Sequence, residues 1–259
     1  MQPSKKINSF ESIIHRIETT HPDSIETHHT NQASTNPLIK IVLGKGNPRR
    51  VLISAGIHGD EPGGVESLLS FLQNKHYLPY INNWEITLIP CINPHGYEFG
   101  TRENHEGKDL NRLFKEGEPP SEVSFAQSIL NNPFKLTIEL HEDNESTGYY
   151  LYQKGIHAKD DDLGFKILNA IKNIMPINLD DEIDGSSADH GVIGKGIDIT
   201  KMDWWPMALY GLSKGVERCL TLETASHFDM ATRVNAHLTA IKTALNHFSN
   251  KSLRGNQSE

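Results

Sequence analysis

Ile53-Ser54-Ala55-Gly56-Ile57-His58-Gly59-Asp60-Glu61-Pro62-Gly63-Gly64 is the stretch on which the fold turns. The apolar run Val51-Leu52-Ile53 enters it as a buried strand. A helical pattern leaves it, with Val65, Leu68, Leu69 and Leu72 spaced for one face over residues 62–74. Pro62 suits a first helical position, because the N–H it lacks would have no partner there. The glycines let the backbone turn sharply and approach a ligand closely. His58 and Glu61, both able to ligate a metal, sit on that turn.

The same alternation continues in both directions. Residues 7–19 read as an amphipathic helix, with Ile7, Phe10, Ile13, Ile14 and Ile17 recurring at helical spacing, and 20–36 as a polar loop. Strands are expected at Leu38–Leu43, Val51–Ala55, Trp84–Cys91, Lys135–Leu140, Tyr149–Gln153 and Cys219–Leu222. Helices are expected at 121–130, at 161–175 with Leu163, Phe165, Ile167, Leu168 and Ile171 inward, near 205–213, and at 229–248. Asn93-Pro94-His95-Gly96 reads as a turn, and 97–119 and 176–204 as long loops without periodicity. A loop of that length inside a domain is usually functional or disordered. Strands alternating with helices predict an α/β fold, a three-layer α/β/α arrangement around a mixed, mostly parallel sheet. No repeat or linker divides the chain, so residues 1–250 are expected to be one catalytic domain and 251–259 a disordered tail.

A net charge of −8 with histidine neutral argues against a nucleic-acid surface. Cys91 and Cys219 both lie in apolar strand-like runs, which predicts buried thiols rather than thiolate ligands. No window reaches the roughly 18 apolar residues of a spanning helix. The first ten residues carry no apolar signal region, so a cytoplasmic location is expected, with export that needs no signal peptide left open.

His-x-x-Glu occurs three times, at His15/Glu18, His58/Glu61 and His95/Glu98. The first lies on the polar face of a surface helix and the third in a turn without a further ligand. Only His58/Glu61 sits between a buried strand and a helix. A catalytic zinc takes three protein ligands and keeps one position open. The third is expected from another strand end, where His141 follows Leu136-Thr137-Ile138-Glu139-Leu140. In open α/β sheets ligands bind just past such strand ends.

His58-Gly59-Asp60-Glu61, Asn93-Pro94-His95-Gly96, Thr101-Arg102-Glu103-Asn104, Asp109-Leu110-Asn111-Arg112, Glu139-Leu140-His141 and Thr221-Leu222-Glu223 follow one another in an order that resembles the M14 zinc carboxypeptidases of the carboxypeptidase A/B type. The Leu-His-Glu-Asp and Leu-Glu-Thr-Ala-Ser variants look most like a small bacterial subgroup that includes the rapid-encystment-phenotype carboxypeptidase and, more distantly, murein peptide amidases. The resemblance implies one zinc ion held by His58, Glu61 and His141, Glu223 as general base and then proton donor, and Arg102 as oxyanion stabiliser. Asn111 and Arg112 would hold the terminal carboxylate of a peptide or small amide substrate. The tyrosine that contacts substrate in the digestive enzymes has no counterpart in Ile199-Thr200-Lys201-Met202-Asp203; Tyr210 is the nearest. Asp189, Asp198 and Asp203 are the candidates for a preference for C-terminal Lys or Arg, and Trp204-Trp205-Pro206 for an apolar pocket or helix-start packing. An N-acyl amino acid amidohydrolase of the aspartoacylase or desuccinylase type would share the same ligands and arginines.

Overall fold

Val51, Leu52 and Ile53 are all fully buried, as in a strand covered on both faces. They lie in β3 (Arg50–Ala55), in the middle of an eight-stranded sheet. The computed structural model describes residues 6–20, 24–29, 36–155, 162–194 and 202–255. The other strands are β1 (Ser24–His28), β2 (Leu38–Leu43), β4 (Glu85–Ile89), β5 (Leu136–Asp143), β6 (Tyr150–Gly155), β7 (Glu182–Ile183), β8 (Ser186–Ser187), β9 (Val192–Ile193) and β10 (Arg218–Ala225). The sheet order is β1-β2-β4-β3-β5-β10-β6-β9, and β7 pairs with β8 as a separate hairpin. The central pairings β4/β3, β3/β5 and β5/β10 are parallel, and antiparallel strands flank them. The sheet is thus mixed, as expected.

Helices cover both faces. Phe10 and Ile13 of α1 (Phe10–Glu18), Leu68 of α2 (Pro62–Gln73), Ile167 of α5 (Leu163–Ile171) and Ile241 of α7 (Met230–Gly255) share one core with Val51, Ile53, Leu220 and Leu222. Val123 of α4 (Ser121–Leu130) and Met207 of α6 (Met207–Ser213) pack with Leu52 and Cys219 on the other face. Strand alternation sorts the side chains: Leu140 and Leu222 face α2 and α7, so His141 and Glu223 face the opposite side.

Six expectations need correcting. Residues 20–36 contain a strand, β1, whose exposed edge position leaves no apolar alternation to read. Asn93-Pro94-His95-Gly96 opens a helix, α3 (Pro94–Phe99): Asn93 Oδ1 accepts from the Gly96 N–H at 2.8 Å as N-cap, and Pro94 takes the first turn. Six residues are too few to show a period. The stretch 97–119 is pinned by a 3₁₀ turn at Leu110–Arg112 and by the buried Leu110 and Phe114. The stretch 176–204 holds β7, β8 and β9, each of two residues. Phe165, expected inward, is 43% exposed. Helix α7 runs seven residues past the end expected for it.

Candidate functional site

The chain leaves β3 through Gly56, whose φ of +62° disfavours a residue with a Cβ. That turn delivers His58 and then Glu61, the residue that precedes Pro62 at the head of α2. Glu61 makes no side-chain capping bond, so its carboxylate is free to face the two histidines. His58 Nδ1 lies 2.6 Å from Glu61 Oε1, and His141 Nδ1 lies 2.9 Å from Glu61 Oε2. The two imidazole centres are 5.1 Å apart, and the three candidate ligand atoms all lie within 4.8 Å of one another. All three residues are buried. Residues 83 positions apart along the chain meet here because β3 and β5 are adjacent parallel strands that end together.

Asp109 supports the cluster, a part not foreseen although its tetrapeptide was singled out. Its Oδ1 lies 3.3 Å from His58 Nε2 and accepts from the Asn111 N–H at 3.0 Å, while Oδ2 accepts from Arg102 Nε at 3.0 Å. A carboxylate on the far nitrogen of an imidazole fixes its tautomer and ring orientation. Burial works against a charged His58, but the bonds to Asp109 and Glu61 outweigh it and raise its pKa. Burial likewise opposes charge on His141, yet the Glu61 and Glu223 carboxylates raise its pKa. Burial would lift Glu61, but His141 and His58 bring it down to about 2. The cluster therefore concentrates negative charge that protons share when no metal does.

Glu223 stands beside His141 in the β5/β10 register, on the same face. Burial, opposed in part by His141 and reinforced by Glu61, Asp143 and Asp184, pushes its pKa up to about 8. Tyr150 is its cross-strand partner on β6; the Tyr150 hydroxyl donates to Asp143 at 3.0 Å, and that of Tyr152 to Asp184 at 2.7 Å. These tyrosines line the cleft and Tyr210 does not: its hydroxyl donates to Asn131.

The cleft measures about 1050 Å³ and is lined by His58, Glu61, His141, Glu223, Arg102, Asn111 and Arg112, so all seven predicted site residues come together. Arg102 Nη1 lies 3.6 Å from Glu61, and the Arg112 guanidinium lies over Trp204 at 4.2 Å from the ring centre. Asn111 Oδ1 accepts from the Met207 N–H at 2.9 Å, which fixes the amide with Nδ2 as its remaining donor. Of the aspartates expected to set selectivity, Asp189 and Asp203 do not line the cleft, and Asp198 lies outside the described residues. The acidic groups that do line it, near Glu223, are Asp143 and Asp184. Nothing in the sequence period marked them, because they lie at a strand end and in a hairpin turn.

The donor set of two imidazole nitrogens and a carboxylate suits a borderline divalent cation. Ligands at about 2.0–2.2 Å on a tetrahedron stand roughly 3.4 Å apart, a spacing within the 4.8 Å that encloses the three donor atoms and wider than their 2.6 and 2.9 Å hydrogen-bond contacts. Among the described residues no helix is long and apolar enough to cross a membrane.

Residues 47–194 match the family described as the succinylglutamate desuccinylase/aspartoacylase catalytic domain. Over 87 residues the chain is 38% identical to murein peptide amidase A of Escherichia coli (strain K12), covering 32% of this chain and 34% of that protein. That match therefore spans about a third of the relative's length. Among solved structures, a protein described as a candidate metallopeptidase from Shewanella amazonensis SB2B superposes with a TM-score of 0.76 at 22% identity, over 92% of this chain and 91% of the other. A metallo-carboxypeptidase from Pseudomonas aeruginosa, solved with (2-guanidinoethylmercapto)succinic acid, gives 0.69 at 15% identity, over 93% and 69%.

Proposed function

The chain belongs to the succinylglutamate desuccinylase/aspartoacylase catalytic-domain family, and on that premise we propose that it is a zinc-dependent carboxypeptidase. It would hydrolyse the amide bond that joins a carboxylate-bearing residue to the rest of a peptide. The observation that carries this reading is the convergence of His58, Glu61 and His141 beside Glu223, with Arg102, Asn111 and Arg112 in the same cleft.

His58, Glu61 and His141 would hold the zinc, with Asp109 orienting His58. Zinc, when bound, supplies Lewis acidity that polarises a carbonyl and brings the pKa of water down to about 7. Glu223 takes the proton from the attacking water and returns it to the amine nitrogen as the C–N bond breaks, leaving a carboxylic acid and an amine. A base in this position typically contributes about 10²–10⁴-fold. Arg102 faces the oxygen on which negative charge grows. Arg112 and the Asn111 Nδ2 group bind the terminal carboxylate; the stacking of Arg112 on Trp204 holds its guanidinium plane in place. A preference for a basic terminal residue would rest on Asp143 and Asp184, the cleft aspartates that act on Glu223.

The family match favours a second reading, an N-acyl amino acid amidohydrolase, in which the same arginines hold the amino acid carboxylate. The two separate in one assay. Zinc-loaded protein is incubated with peptides ending in Lys, Arg or Leu, with a murein-type peptide, and with N-acetyl and N-succinyl amino acids. Release of the terminal residue from peptides, abolished by a chelator and restored by zinc, supports the carboxypeptidase. Turnover of the N-acyl amino acids alone would overturn it.

A further inference from the structure

Glu142 follows His141 on β5, and by strand alternation its side chain leaves on the other face of the sheet. That side chain is 1% exposed. Its Oε2 accepts from the Gly63 N–H at 2.8 Å. Its Oε1 accepts from Arg233 Nη1 on α7 at 2.6 Å and from Thr224 Oγ1, next to Glu223, at 3.3 Å. Its own backbone N–H donates to Glu61 Oε2 at 3.3 Å. One buried carboxylate thus touches the head of α2, the end of β10 and α7, while its peptide N–H touches a candidate ligand.

The head of α2 needs such a partner. Glu61 occupies the N-cap position but gives the helix no side-chain bond. Glu142 supplies the missing acceptor from a different strand, and its charge is favoured at a helix N-terminus. The fit is close: a Cβ on Gly63 would lie 2.4 Å from Glu142 Oε1. Arg233 offsets the buried charge with a charge-assisted hydrogen bond, the stronger kind.

We propose that the Glu142–Arg233 pair is a positioning element, which locks the first turn of α2 against the end of β5 and so holds Glu61 and His141 at the spacing of a shared metal ion. This role rests on the reading of His58, Glu61 and His141 as ligands. It makes Arg233, 92 residues beyond His141 on another helix, a determinant of metal affinity.

The test is zinc affinity of the folded, metal-free full chain, measured by competition with a chromophoric chelator. Removing an outer partner of a metal site typically weakens binding about 10–100-fold, and that loss is expected for Glu142→Gln and Arg233→Met. Arg233→Lys keeps the cation and should remain within about threefold of wild type on the same scale. Ile13→Ala, a core truncation in α1, should lower Tm and leave the zinc affinity unchanged. If Glu142→Gln does not fold, the Arg233→Met and Arg233→Lys pair gives the answer. Variants that all bind zinc like wild type overturn the positioning role and leave the metal centre standing. Arg233→Lys falling as far as Arg233→Met overturns the ionic pairing. Wild-type protein that takes up no zinc overturns the centre and this role together.

Discussion

Replacing Glu223 by Gln should cost activity and increase stability at once, and the two effects have one cause. Glu223 sits among Glu61, Asp143 and Asp184 with little solvent, and its pKa rises from 4.5 to about 8. An unfolded chain ionises this carboxyl from about pH 4.5 upward, while the folded, metal-free protein resists until about pH 8. The unfolded state therefore binds fewer protons across that window, and stability is lost as pH rises through it. Each unit is worth about 1.4 kcal/mol, so at pH 7, about 2.5 units above the unfolded value, the group opposes folding by about 3 kcal/mol. Gln keeps the shape and cannot ionise. Urea denaturation of metal-free Glu223→Gln and wild type should coincide near pH 4.5, separate in favour of the variant by pH 7, and stay apart above pH 8. The zinc-loaded variant should lose about 10²–10⁴-fold in kcat, the contribution of a positioned proton-transfer group. A variant that retains wild-type kcat would remove Glu223 from proton transfer. One less stable than wild type at pH 8 would show that its carboxylate is satisfied in the fold and refute the electrostatic reasoning.

Three further outcomes follow from neighbouring contacts. Asp109→Asn keeps the shape but loses the charge beside His58 and Arg102, and should weaken zinc binding about 10–100-fold in a chelator competition. Arg112→Lys loses the flat fork that lies over Trp204; KM for a substrate with a free terminal carboxylate should rise, and turnover of the same substrate as its amide should not change. His237 is buried between the Tyr149 hydroxyl and the His141 carbonyl, and burial lowers its pKa to about 3. An unfolded chain takes up a proton there below pH 6.5 and the folded one does not, so stability falls with acid, by about 2 kcal/mol at pH 5 from this residue. His237→Gln should flatten that limb in urea titrations between pH 7 and 5.

What the sequence made legible follows strong local signals. The buried run of β3, the proline at the head of α2 and the His-x-x-Glu spacing lie within a dozen residues of one another, and they located the centre of the sheet and two of the three clustered residues. His141 and Glu223 could be read because each ends an apolar strand, and the parallel β5/β10 register then sets them side by side. Asp109 was less legible: an aspartate before a short 3₁₀ turn looks like any cap, and only the approach of His58 gives it a second partner. Glu142 stood in the Leu-His-Glu-Asp variant without a role, and Arg233 gave no signal, since an arginine in the first turns of a long helix reads as surface charge. Asp143 and Asp184 lie at a strand end and in a hairpin turn, where no period marks a role, and Asp189 and Asp203, favoured for selectivity in their place, do not line the cleft. β1 gives no alternation to read because nearly all its side chains are exposed at the sheet edge.

His58, Glu61 and His141 are expected to hold one zinc ion. The direct measurement is metal content together with zinc-edge X-ray absorption on the purified protein and on His141→Ala. Wild type should carry one zinc per chain, with two imidazole nitrogens and carboxylate or water oxygens at about 2.0–2.2 Å, and the variant should lose most of the metal. Full zinc retention by His141→Ala, or a wild-type spectrum without imidazole scattering, would contradict it.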